Sequence, residues 1–253
     1  MITEYHRPQT LEKVLELISL PYTYPLGGGT VLSLPRDESY AVVDLQALEL
    51  NKIHKSGAKL EIGATATLQD ILENPHTPEA LRSAIRLEAP INSRNMATAA
   101  GASVTCDGRS PFAVVMQALD AKITIINGGK SLVDIGDLFI LRQETLRGKL
   151  ILNIEIPLVC KVAFKSVARS PADRPIICVA VGMWLSGRTR VVLGGWGETP
   201  TLAMDGNDPS GILAASKNAS QNSTDAWGSS EYRSEVAVVL AKRCIEELNP
   251  QST

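Results

Sequence analysis

Apolar positions along the chain alternate between a helical and a strand period, and the switches divide it into units. In "PQTLEKVLELI" (8–18), Leu11, Val14, Leu15 and Ile18 recur at i, i+3, i+4 and i+7, which predicts a short amphipathic helix with Thr10 as its N-cap. "YTYPLGGGT" then reads as strand and loop, "YAVVDL" (40–45) and "KLEIGATAT" (59–67) as strands, and "TLQDIL" as a helix capped by Thr67. The opening of the chain is therefore expected to be a β-α-β-like unit of roughly fifty residues followed by a second unit.

In that second unit a helix is predicted through "PEALRSAIRLEA" (78–89), then an irregular stretch 90–111, the apolar segment "FAVVMQALDA" (112–121), and strands at "KITIIN" (122–127) and "LILNIEIP" (150–157). The irregular stretch exceeds typical loop length and is rich in Ala, Gly, Ser, Thr and Asn, the composition of a segment whose backbone meets a ligand. Beyond residue 158, "AFKSVAR" (163–169), "PIICVAVGMWL" (175–185) and "RTRVVLGGWG" (188–197) read as three antiparallel strands. The polar run 205–230 is expected to be a mobile surface loop. A closing helix spans 230–249, starting at Ser230 or Ser234, with Val236, Val239, Leu240 and Cys244 on one face. No internal repeat is visible.

Composition narrows the function. The chain has 253 residues, 44% apolar and 21% charged, with a formal net charge of -2, as expected of a globular protein large enough for two or three small cores. Its basic residues are scattered and aromatics make up only 4%, too few for base-stacking platforms, so nucleic acid is not an expected partner. The N-terminus lacks the layout of a signal peptide and no apolar run reaches membrane-spanning length. Both point to a cytoplasmic protein without membrane insertion. Cys106, Cys160, Cys178 and Cys244 lie far apart, and His6, His54 and His76 lack ligand spacing, so no metal site is expected. No acid–base or nucleophile constellation stands out, so no catalytic residue is expected.

The glycine cluster "YPLGGGTVLSL" (24–34) raises a separate question. A nucleotide-triphosphatase loop would need Lys and then Ser or Thr after the last glycine, and Gly29 is followed by Thr30 and Val31. The dinucleotide fingerprint is also absent. Bare backbone of this kind serves either a tight turn or an anion nest built from successive N–H groups.

The order "GGGTVLSL", "VVDL", "LEIGATATLQDIL", "INSRNMATAAGA", "ALDA", "ILNIEIP", "FKSVAR", "LGGWGETPTLA" and the terminal "EYRSEVAVVLAKRCIEEL" resembles the FAD-binding subunits of the molybdenum hydroxylases. The likeness covers nearly the whole chain. It implies an α+β fold: an FAD-binding domain (1–157) of two subdomains, about 1–52 and 53–157, followed by a C-terminal domain (158–253) with a three-stranded antiparallel sheet and helices. It also implies that Pro25, Leu26, Gly27, Gly28, Gly29, Thr30, Val31 and Leu32 wrap the FAD diphosphate through backbone N–H groups. A second loop, Arg94 to Ala102, would clamp it from the other side through Thr98, Ala99, Ala100, Gly101 and Ala102. Ile151 and the ammonium of Lys165 would lie near the flavin.

The sequence departs from the family pattern in three places. Ala100-Gly101-Ala102 stands where the family has Gly-Gly-Asn, Pro111 stands at an FAD-binding Asp position with Asp107 nearby as either a substitute contact or the cap of a turn, and the stretch between Ile156 and Leu193 is compressed. The implied role is electron transfer: FAD takes electrons from an iron–sulfur subunit, itself served by a molybdenum-cofactor subunit, and passes them to an acceptor. The alternative is a member that has lost FAD and serves assembly.

Overall fold

Three parallel strands open the chain. β1 (Ile2–His6), β2 (Thr23–Leu26) and β3 (Tyr40–Asp44) pair in the order β1-β3-β2, and α1 (Leu11–Ile18) connects β1 to β2. Thr10 caps α1 as predicted, its hydroxyl oxygen accepting from the Lys13 N–H at 3.3 Å. Val14, Leu17 and Ile18 pack on Val43, Leu45 and Leu150. β1 escaped the sequence reading because its exposed residues carry no apolar alternation. Its pairing with β3 makes it a strand. The parallel arrangement sends β2 directly into the glycine cluster at its carboxyl end, where open sheets of this kind bind ligands.

The next sheet is antiparallel and five-stranded. It comprises β4 (Ile53–Ser56), β5 (Lys59–Gly63), β6 (Lys122–Ile126), β7 (Lys130–Asp134) and β8 (Leu150–Pro157), in the order β4-β5-β8-β6-β7. Between β5 and β6 run α2 (Leu68–Glu73), α3 (Glu79–Glu88), α4 (Ile91–Arg94), α5 (Ala99–Thr105) and α6 (Pro111–Ala118). α7 (Ile135–Ile140) and α8 (Arg142–Leu146) follow β7. The predicted irregular stretch 90–111 thus contains two short helices, α4 and α5. Their small and polar residues give no apolar stripe, so only the caps and the tertiary setting fix them.

The C-terminal sheet has four strands, β9 (Lys161–Val167), β10 (Ile177–Met183), β11 (Thr189–Gly194) and β12 (Thr201–Gly206), in the order β12-β11-β10-β9. The three predicted strands are present, and β12 joins them at the edge. α9 (Ile212–Ala219) lies inside the segment expected to be a loop. α10 (Ser230–Leu248) starts at Ser230, one of the two expected starts, with Ser229 as its N-cap, and Val239 on it is 48% exposed. Its buried face runs through Ala237, Leu240, Ala241, Cys244 and Leu248. The computed structural model describes residues 1–171 and 173–249, so the last four residues of the expected C-terminal domain lie outside the described residues.

All eight residues of α6 are buried, and the reason is its place between two layers. Phe112, Val114 and Met116 share one core with Leu81, Ile85, Ile123 and Ile154, and also with Phe164, Cys178, Ala180 and Val192 from the C-terminal sheet. The opposite face of that sheet, Ala163, Ile177, Val179 and Val191, packs on α9 and α10. One continuous apolar core therefore crosses the expected boundary at 157/158. Asp120, held at φ 56°, reinforces the joint by accepting from Arg188 at 2.8 Å, from Lys122 at 3.3 Å and from Arg190.

Candidate functional site

The glycine loop leaves β2 at Pro25 and Leu26 and turns at Gly29, whose φ of 71° suits glycine. A short turn follows through Thr30, Val31 and Leu32, closed by Ser33 N–H donating to the Gly29 carbonyl at 3.0 Å. Among the described residues, no protein acceptor receives the backbone N–H of Gly27, Gly28, Gly29, Thr30, Val31 or Leu32. Consecutive uncommitted N–H groups at the start of a turn form an anion nest, the donor set that a diphosphate requires.

The second loop packs onto the first. A Cβ on Gly28 would lie 1.5 Å from the Met96 carbonyl oxygen, and one on Gly27 would lie 2.8 Å from Thr98 Oγ1. Only glycine permits this approach. The second loop is itself bolted to β5 and its extension: Leu68 N–H donates to Ala97 O at 2.8 Å, Ala99 N–H to Ala66 O at 2.8 Å, and Ala100 N–H to Ala64 O at 3.1 Å. Thr98 caps α5, accepting from Gly101 N–H at 3.1 Å, while Ala102 N–H donates to Thr98 O at 2.8 Å.

The N–H groups of Ala99, Ala100, Gly101 and Ala102 are spent inside the protein, whereas those of the glycine loop have no protein acceptor among the described residues, and the second loop forms a wall against it. Ala100 and Ala102 lie within helical α5, away from the left-handed region, so alanine at the glycine position carries no backbone strain.

Residues 1–159 match the family described as the FAD binding domain in molybdopterin dehydrogenase. The chain belongs to that family. It is 30% identical to the glyceraldehyde dehydrogenase medium chain of Sulfolobus acidocaldarius, in an alignment covering 96% of this chain and 97% of that one. Among solved structures, a reconstituted CO dehydrogenase from Oligotropha carboxidovorans has a chain of the same fold, with TM-score 0.80, 22% identity and 98% of each chain covered. Quinoline 2-oxidoreductase from Pseudomonas putida 86 is similar at TM-score 0.78 and 22% identity, over 96% of this chain and 95% of that one. The protein is accordingly an FAD-binding oxidoreductase subunit of the medium-chain type.

Against this family frame, the remaining expected contacts fall unevenly. Asp107 is occupied: its carboxylate pairs with Arg174, one contact being Nη1 to Oδ2 at 3.0 Å, and accepts from the Arg109 N–H at 2.8 Å. It closes a turn and joins the FAD-binding part to the segment before β10. Pro111 is the first residue of α6 and is buried, a place where proline fits because that N–H has no helical partner. The carboxylate at this helix start comes from Glu88, which accepts from Ser110 Oγ at 2.7 Å and Phe112 N–H at 3.0 Å. Although part of the Glu88 residue is exposed, its carboxyl group is desolvated, and burial pushes its pKa up. Ser110 caps α6 by accepting from Ala113 N–H at 3.1 Å, and Glu88, which no sequence motif marks, takes the Phe112 N–H beside it.

Ile151 pairs with Ile125 and is only 5% exposed within the core, so its side chain packs the floor beneath α5. Alternation along β9 sends Phe164 into the core shared with α6, while Ala163 packs with α10, and the Lys165 ammonium pairs with Glu247 of α10. Arg142 was not foreseen: it ties the far end of α5 to the segment between β11 and β12 by donating to Val104 O at 3.0 Å and Glu198 O at 3.1 Å.

No other chemistry competes at this site. All four cysteines are free and buried, and burial holds the thiols of Cys106, Cys160 and Cys244 at about 12. They stay protonated and un-nucleophilic at neutral pH. Among the described residues there is no metal-binding group of His, Cys, Asp and Glu, and no helix is long and apolar enough to cross a membrane.

Proposed function

We propose that the chain carries electrons within a multi-chain molybdenum hydroxylase in the cytoplasm, receiving them from an iron–sulfur subunit served by a molybdenum-cofactor subunit. The observation that carries this reading is the row of uncommitted N–H groups from Gly27 to Leu32, facing a wall made by Met96 to Thr98. When held there, FAD would supply the redox chemistry, which links one-electron to two-electron transfer. The chain's own residues do the rest. The glycine loop holds the diphosphate through backbone donors, whose charge-assisted hydrogen bonds are strong without a lysine or arginine nearby. Thr30, exposed at the loop tip, adds a hydroxyl donor, and Thr98 keeps the wall in register. The free thiols agree with a reducing compartment.

The test is to purify the chain, release bound FAD by heat, and titrate FAD back into the apo form. Retention with a dissociation constant of about micromolar or tighter is expected, as is recovery of iron–sulfur and molybdenum-cofactor chains from the native host. An apo chain that neither binds FAD nor gains thermal stability from it would instead leave an assembly role.

A further inference from the structure

A second feature lies where four chain segments meet around Trp227. The indole is 46% exposed, unusual for the largest side chain in a sequence with three tryptophans. It is nonetheless held firmly. The backbone N–H groups of Trp227 and Gly228 donate to Asp225 Oδ1 at 2.7 and 3.1 Å, and Asp225 is fixed by Arg233 at 2.8 Å. Arg233 is fully buried and also donates to the carbonyls of Ile176 and Gly195, at 2.9 and 3.2 Å. The exposed ring therefore stands on a rigid base.

Two guanidinium groups lie against that ring, Arg109 at 4.3 Å from its centroid and Arg169 at 5.3 Å. Arg109 is set by donating to the Arg174 carbonyl at 3.2 Å. Among the described residues, neither Arg109 nor Arg169 has a carboxylate partner. Asp107 is taken by Arg174, and Asp225 by Arg233. The patch thus carries two unneutralised positive charges on a protein whose formal net charge is -2. A pre-ordered tryptophan flanked by arginines is the composition of an interface anchor. The planar guanidinium fork matches carboxylates in pairs.

We propose that Trp227, Arg109 and Arg169 form the anchor for an acidic segment of a partner chain in the assembled enzyme. The proposal rests on the assembly part of the reading above and not on the flavin contacts. Charge complementarity selects the occupant: carboxylate side chains pair with the Arg169 guanidinium and the remaining N–H groups of Arg109, while the tryptophan edge packs against their methylene stems.

The experiment uses the complex isolated from the native host through a tag on this chain. Trp227→Ala and Arg169→Glu are compared with wild type and with Arg243→Glu, a like charge change at an exposed position on α10. Partner chains are expected to leave both anchor variants at lower salt than they leave wild type or the control, with FAD content unchanged. In parallel, the full chain is titrated with a glutamate-rich peptide, followed by tryptophan fluorescence. Binding is expected, weakened about tenfold or more by Arg169→Glu. Retention of partner chains to the same salt in all four proteins overturns the proposal, as does loss of FAD together with partners. An equal response to inorganic pyrophosphate also overturns it, by assigning the patch to phosphates. Failure of the flavoprotein reading has a different signature, namely wild-type chain without FAD.

Discussion

Replacing Gly28 by alanine tests the central geometric claim, that the two loops meet backbone to backbone. The added methyl would sit 1.5 Å from the Met96 carbonyl oxygen, whereas real Cβ contacts essentially never fall under 3.0 Å. The obstacle is main chain held by its own hydrogen bonds to Ser93, so no rotamer change relieves it. The loops must part by about 1.5 Å, and overpacking of this kind costs about 1–3 kcal/mol. The same displacement takes N–H groups of the nest out of reach of a diphosphate positioned by the rest of the site. Losing two hydrogen bonds to a charged group, at roughly 1.5–3 kcal/mol each, predicts FAD binding at least about 100-fold weaker. FAD titration followed by flavin fluorescence, with thermal unfolding of the apo chain, measures both effects. Gly129→Ala is the control, since nothing lies within 4 Å of its added methyl and its φ is not positive. A Gly28→Ala protein binding FAD within about threefold of wild type would refute the reasoning.

Two further expectations follow from the caps around the site. Thr98→Ser keeps the acceptor for Gly101 N–H and should match wild type in urea unfolding, whereas Thr98→Val keeps the shape, loses the cap and should cost about 1 kcal/mol; equal midpoints for the two would show that the cap contributes nothing. Because burial raises the folded-state pKa of Glu88, its protonated form favours the fold. That contribution is complete below the unfolded value near about 4.3 and is lost as pH rises through the folded value. Glu88→Gln keeps an oxygen acceptor for Ser110 and Phe112, so it should lack this pH-dependent loss; parallel pH profiles of unfolding free energy would contradict the assignment.

How much of this was readable in the chain depends on the range of the forces involved. Local signals carried α1 with its Thr10 cap, α2 with its Thr67 cap, the strands with clear alternation, and the glycine cluster, because each depends on residues within a few positions. The motif order carried the family and its cofactor. What only the tertiary structure decided concerns partners distant in sequence. β1 and β12 exist by pairing with β3 and β11, and α5 by its bonds to Ala64 and Ala66. In the second loop that attachment spends the N–H groups of Ala99 and Ala100, and no linear pattern records which donors are committed. Lys165 meets Glu247 of α10 because strand alternation and the core on each side of β9 fix its direction. Glu88 takes an N–H at the start of a helix that begins 23 residues later. Hydrogen-bond accounting and sheet faces are properties of the assembled chain, so the sequence named the cofactor while the packing decided which atoms are left to hold it.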